Sequence, residues 1–162
     1  MYASKGLPAV IKPNAHELAE TVGRDLHNVG DVIDAARELC QHGIECVLAS
    51  LGPDGMVAVT KDRAWAAKTG PVKVINTVGA GDATLAGFLT AVVSNPVDGD
   101  SEYGVGFNVP MGVKTAVQYG AVAVTQPTSG LENLDNMPES VVTDNPDRSV
   151  PLEEIAYANP TK

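Results

Sequence analysis

Two glycines and a bare carboxylate stand at the mouth of a predicted helix. Residues Val74 to Leu89 read VINTVGAGDATLAGFL, in which Gly79-Ala80-Gly81-Asp82 separates the β-branched run Val72 to Ile75 from a strongly apolar helical pattern. The first N–H groups of a helix have no intrahelical acceptor, and that end carries partial positive charge. Glycines there let the backbone approach a ligand without a Cβ in the way. Gly79, Ala80 and Gly81 could therefore aim several N–H donors at one anion, for which phosphate is the natural guest. Asp82 would repel that guest unless it faces a second reactant, a hydroxyl that must lose a proton. The donors would then stabilise charge on a moving phosphoryl group while the carboxylate orients and deprotonates the acceptor. The alternative is local structure alone, since acids favour the first turn of a helix.

Two further stretches bear on the same chemistry. Ser50 to Gly55, SLGPDG, follows the apolar run ECVLAS, and ligands gather at the carboxyl ends of strands in open α/β sheets. Ser50 offers a hydroxyl, and Gly52 and Gly55 permit close backbone approach; the same letters also spell a Pro-Asp-Gly turn. Lys12 to Glu17, KPNAHE, follows a short strand and brings together a Lys, an amide at Asn14 and a carboxylate at Glu17. That set suits a phosphate with its Mg²⁺, the carboxylate acting through water. Asn14 as an N-cap with Glu17 at the third helical position, close to a capping box, is the structural alternative.

The elements that must position these residues alternate in type. Pro8 to Ile11 reads as a strand, and NAHELAETVG as a short helix ended by Gly23. Asp31 is expected to cap the next helix, with Val32, Ile33, Ala36, Leu39 and Cys40 on one stripe and Gly43 at its end. Cys46 to Ser50 is apolar enough for a strand buried on both faces. Strands are expected at Gly55–Val59, Arg63–Ala67 and Val72–Ile75. A helix then places Leu85, Phe88, Leu89, Val92 and Val93 on one face, residues 95–108 form a loop, and a last long helix spans Val109 to Val124. Beyond Gly130 the pattern weakens, with only Leu152 to Tyr157 hinting at a helical turn. Strands alternating with helices predict an α/β fold with a largely parallel sheet.

Composition narrows the function classes. Twenty Asp and Glu against 11 Lys and Arg give a formal charge of -9, which argues against a nucleic-acid or anionic-membrane surface. Cys40 and Cys46 match no zinc or redox spacing and read as buried reduced thiols, the pattern of a cytoplasmic protein. No apolar run is long enough to span a bilayer.

Together and in this order, the three stretches resemble the ribokinase-like (PfkB) carbohydrate kinase family: NTVGAGDATLAGFL its C-terminal signature, KPNAHEL its Asn-x-x-Glu motif, SLGPDG its phosphate-contacting turn. The resemblance implies a ribokinase-like three-layer sandwich of which this chain is the C-terminal portion only. Residues 1–134 would be the nucleotide-binding and catalytic part, and 135–162 an acidic, loosely packed tail. It implies Asp82 as catalytic base, Gly79, Ala80 and Gly81 as anion hole, and Asn14 and Glu17 organising Mg²⁺ and the ATP phosphates. Lys12 would lie against a phosphate, and Ser50, Gly52 and Gly55 would contact the nucleotide. The implied cofactors are ATP and Mg²⁺, and the implied substrate is a phosphosugar. DVIDAARELCQHGIECVLASLGPDG and GAVAVTQPTSGL look most like the bacterial branch that converts fructose 1-phosphate to fructose 1,6-bisphosphate. A kinase for another sugar, or a non-catalytic nucleotide- or phosphosugar-binding domain, is the alternative. Family members are roughly twice as long and hold the sugar largely with the half not represented here. The resemblance therefore implies that this chain alone is nearly inactive, and that its open sheet edge calls for an N-terminal half or a homodimer. In VQYGAVAV, Gln118 and Tyr119 replace the small residues found near the adenine; Tyr119 could turn away, stack on the base or fill its pocket.

Overall fold

The computed structural model describes residues 6–98, 101–129, 131 and 133–152. Its sheet forms because short β-branched and alanine-rich runs are joined by tight turns. Strands β1 (Val10–Ile11), β2 (Cys46–Ser50), β3 (Met56–Val59), β4 (Ala64–Thr69) and β5 (Ser140–Asp144) lie in that spatial order. Helices α1 (Ala15–Val22) and α2 (Val29–Gln41) separate β1 from β2, while α3 (Ala80–Ser94) and α4 (Val109–Val124) separate β4 from β5.

Side chains alternate across the sheet and divide the core in two. Val47, Ala49, Val57, Val59 and Ala64 pack with α1 and α2 on one face. Cys46, Leu48, Met56, Ala58, Trp65 and Ala67 pack with α3 and α4 on the other. Residues Cys46 to Ala49 are buried throughout, as expected of a strand covered on both sides. The fold is thus α/β in three layers.

Several expectations are corrected. The sheet is largely antiparallel: only β1–β2 runs parallel, through the α1–α2 crossover, whereas β2–β3, β3–β4 and β4–β5 are antiparallel. The Pro-Asp turn after Ser50 and the short link from Thr60 to Arg63 leave room for hairpins only. Val72 to Ile75 forms no strand, because the free edge of β4 is taken by β5, from Trp65↔Asp144 to Thr69↔Ser140. The Ile75 and Asn76 amides instead donate to Val124 O, at 2.7 and 3.1 Å, and satisfy a carbonyl at the end of α4.

The α2 helix starts earlier than expected, since Asn28 is its N-cap. Asn28 Oδ1 accepts from the Asp31 N–H at 2.9 Å, and Asp31 reaches back to the His27 N–H at 2.8 Å. On α3, Phe88 is fully buried and Leu85 and Val92 pack beside it, but Leu89 and Val93 face outward, 45% and 77% exposed.

Strand β5 has no counterpart among the sequence expectations. Part of the stretch expected to be loose is anchored: Arg63 pairs with Asp144 at 2.9 Å and Arg148 with Asp34 at 2.7 Å. The Val29 N–H donates to Val150 O, and the Leu152 N–H to His27 O. The helical turn expected at Leu152 to Tyr157 falls almost wholly outside the described residues.

Candidate active site

The functional stretches converge where β1 and β2 end. Asn14 and Ser50 sit side by side in a parallel bridge, and the Ser50 N–H donates to Pro13 O at 3.0 Å. From the end of β1, Lys12 reaches across to the first turn of α3. A Cβ at position 81 would stand 3.2 Å from Lys12 Nζ. An ammonium therefore rests against the positive end of a 15-residue helix, with no ion-pair partner among the described residues. Helix dipole and ammonium repel each other, so this arrangement is favourable only with an anion between or beside them.

The α3 entry explains its glycines. Gly79 has φ 81°, in the left-handed region, and a Cβ there would meet Ser129 O at 2.8 Å. The Ala80 N–H closes on Thr77 O and the Ala83 N–H on Gly79 O. Among the described residues the Gly81 and Asp82 N–H groups have no acceptor. Asp82 is exposed and makes no ion pair or side-chain hydrogen bond among those residues. Gly81 itself needs no special backbone angle; it leaves room for Lys12.

Asn14 and Glu17 form a complete capping box. The Glu17 N–H donates to Asn14 Oδ1 at 2.8 Å, and the Asn14 N–H donates to Glu17 Oε2 at 2.9 Å. The local-structure alternative is therefore present, and it leaves Asn14 Nδ2 and Glu17 Oε1 for other work. At Gly52–Asp54 the turn closes on itself, with the Asp54 N–H on Leu51 O, the Gly55 N–H on Gly52 O and the Leu51 N–H on Gly55 O. Gly55 is held by geometry, with φ 91° and a Cβ that would lie 2.1 Å from Ala67 O. Of the donors in this turn, the Ser50 hydroxyl and the Gly52 N–H have no acceptor among the described residues.

Gln118 and Tyr119 have local tasks. Gln118 Nε2 donates to Pro138 O at 2.8 Å and ties the chain leading into β5 to α4. The Tyr119 ring packs on Gly87, where a Cβ would come within 2.7 Å of Tyr119 Cγ, so it turns toward the middle of α3.

Sequence reasoning passed over Asn76. Its Oδ1 accepts the Val78 N–H at 3.0 Å, and its Nδ2 donates to Pro127 O at 3.3 Å. An Asn two residues before a turn is a recognisable signal for an Asx turn; its second bond is a long-range contact that no local pattern reveals.

Residues 3–135 match the pfkB family carbohydrate kinase pattern. The chain belongs to the pfkB family of carbohydrate kinases. It is 44% identical over 117 residues to a 1-phosphofructokinase from Haloferax volcanii, covering 72% of this chain and 36% of that protein. It is 42% identical over 85 residues to a 1-phosphofructokinase from Escherichia coli K12, covering 52% and 27%. Its fold is similar to the crystal structure of Escherichia coli phosphofructokinase-2 in complex with substrates and products. There the TM-score is 0.61 at 29% identity, with 72% of this chain and 34% of that one covered. A Vibrio cholerae fructokinase, solved in fructose-, ADP- and calcium-bound form, gives 0.63 at 26% identity, with 82% and 39% covered. The pfkB chain thus spans about a third of the length of its curated relatives.

Among the described residues no helix is long and apolar enough to cross a membrane, and no group of three or more His, Cys, Asp or Glu could hold a metal ion.

Proposed function

We propose that this chain is the nucleotide-binding and catalytic part of an ATP-dependent phosphosugar kinase whose acceptor is fructose 1-phosphate. One observation carries the reading. Lys12 Nζ and the unpartnered Gly81 and Asp82 amides meet at the positive end of α3, beside an exposed carboxylate with no partner among the described residues. The relatives named 1-phosphofructokinase support that choice of acceptor.

In this reading the Gly81 and Asp82 N–H groups and the Lys12 ammonium hold the transferring phosphoryl group; the Ala80 N–H, expected among the donors, donates to Thr77 O instead. Asp82 accepts the proton of the sugar hydroxyl as its oxygen bonds to the γ-phosphorus. The bond from that phosphorus to the β,γ-bridging oxygen breaks, and ADP leaves. Asn14 Nδ2, the Ser50 hydroxyl and the Gly52 N–H serve, in this reading, as further phosphate donors. The donor set fits a hydrated Mg²⁺ only loosely, through Glu17 Oε1, the carboxylate oxygen that the capping box leaves free. When bound, such an ion neutralises charge on the phosphates.

The groups that hold the sugar belong, in this reading, to the two thirds of the relatives' length that the chain does not match, so turnover by the chain alone is low. The test is Asp82→Asn in the chain joined to the remaining portion of the Haloferax volcanii relative. ATP binding should persist, while ADP release with fructose 1-phosphate falls by about 10²–10⁴-fold, the contribution of a positioned base. Undiminished turnover in Asp82→Asn overturns the assignment of Asp82, and ATP binding without turnover in the unsubstituted form favours a binding module.

A further inference from the structure

We infer that Asn76 is a positioning residue for the phosphate site, acting through the turn that carries Gly79; this rests on the phosphate-binding reading above. Two loops distant in sequence form the entry to α3. One is the approach, residues 75–79; the other is the exit from α4, residues 124–129. Their backbones meet twice at Val124 O, which accepts from both Ile75 and Asn76. They meet again where Gly79 faces Ser129 O so closely that a Cβ would stand 2.8 Å from it.

Between these points the Asn76 side chain ties the loops together. Asn76 Oδ1 takes the Val78 N–H and fixes the direction in which the chain enters the Gly79 turn. Asn76 Nδ2 donates to Pro127 O and holds that turn against the α4 exit. A single planar amide therefore sets both the internal shape of the turn and its distance from α4. The amides that follow, at Gly81 and Asp82, have no acceptor among the described residues to orient them, so their aim is inherited from this entry. A donor array works as an anion hole only when its dipoles are fixed before the charge arrives. Val78 is 67% exposed and contributes little packing, so beyond the backbone bonds at Val124 O the polar tie constrains the entry.

The two bonds can be separated. Asn76→Ser keeps a short acceptor within reach of the Val78 N–H, since Ser hydroxyls form the same turn more weakly. It is too short to reach Pro127 O, and it adds no charge beside the anion site. Asn76→Ala removes both bonds. The experiment follows ¹⁵N–¹H resonances of the chain during titration with ATP and, separately, with inorganic phosphate, alongside far-UV circular dichroism melts.

Loss of one neutral hydrogen bond corresponds to roughly 2–10-fold. Asn76→Ser should therefore bind both probes about fivefold more weakly than the parent, with faster hydrogen exchange at Ala80, whose N–H closes on Thr77 O, and a nearly unchanged melting temperature. Asn76→Ala should be weaker still. A purely structural role would lower the melting temperature and leave affinity at native temperatures as it was; that result overturns the inference, as does parental affinity in Asn76→Ser. If the parent binds neither ATP nor phosphate, the phosphate-site reading fails, and this inference with it.

Discussion

Lys12 Nζ lies against Gly81, so close that a Cβ there would stand 3.2 Å away. The lysine closes the end of β1 and the glycine opens α3, and their contact joins the two halves of the candidate site. It also separates stability from binding. Gly81→Ala should raise helix stability by up to about 1 kcal/mol, because Ala is the better helix former. Lys12 can give way, since its ammonium ends a flexible chain, yet giving way moves the charge off the anion site. Calorimetric melts should show a stable variant, and ATP titration a weaker one. Lys12→Met should weaken ATP binding and flatten its dependence on salt, because screening acts on the charge that has been removed.

Strand β5 closes one edge of the sheet and its continuation straps α2. Val142 packs among Trp65, Met56 and the α4 residues, and Gln118 holds Pro138. Val142→Asp should therefore lower stability by a few kcal/mol, through an unpaired charge in a packed face. Gln118→Ala should cost about 1 kcal/mol, one hydrogen bond. Urea denaturation would measure both; a Val142→Asp variant as stable as the parent would show that β5 merely rests on the sheet.

The opposite side is bare. Helix α3 is apolar nearly all round, and such helices are normally buried on every face. Here Leu89 and Val93 join exposed Val74, Ile75 and Val78, while β1 offers a two-residue edge. The chain is expected to self-associate as its concentration rises. Light scattering should show the mass falling toward monomer in a Leu89→Gln, Val93→Lys variant, whereas a stable monomeric parent at high concentration contradicts this.

Both thiols are buried, Cys40 between α2 and the sheet and Cys46 on the face covered by α3 and α4. Burial pushes the Cys40 thiol up to about 11, and Cys46 is raised further by burial and by its neighbour Cys40. An unfolded thiol loses its proton near pH 8.5. From there up to about 11 the unfolded chain binds fewer protons than the folded one, so stability falls as pH rises through that window. Melts from pH 7 to 11 should show this fall, and replacing both cysteines by Ala should flatten it. At pH 7 neither thiol should react with a disulfide reagent until the chain unfolds.

Much of the architecture was legible because it is written locally. The ends of α4 follow from Asn108, Pro110 and an unbroken apolar helical pattern, and the close of α1 from Gly23. The buried β2 is plain from its composition. What escaped depends on competition between distant segments. Val72 to Ile75 has every strand signal, but Ser140–Asp144 occupies the edge it would need. The outward turn of Leu89 and Val93 reflects which neighbours α3 has, and that is absent from its own periodicity. At the candidate site, the glycine entry to α3 with Asp82 in its first turn was readable from the order of the residues. The Lys12–Gly81 contact and the Asn76–Pro127 bond were not, since they join residues 69 and 51 positions apart.

The most direct test of the central claim is to titrate the ¹⁵N-labelled chain with ATP and follow its backbone amides. The phosphate-site account predicts that Gly79, Gly81 and Asp82 shift first and furthest, and that Lys12→Met moves the response to higher ATP concentration. Resonances at the α3 entry that stay still while ATP binds elsewhere, or does not bind at all, would contradict it.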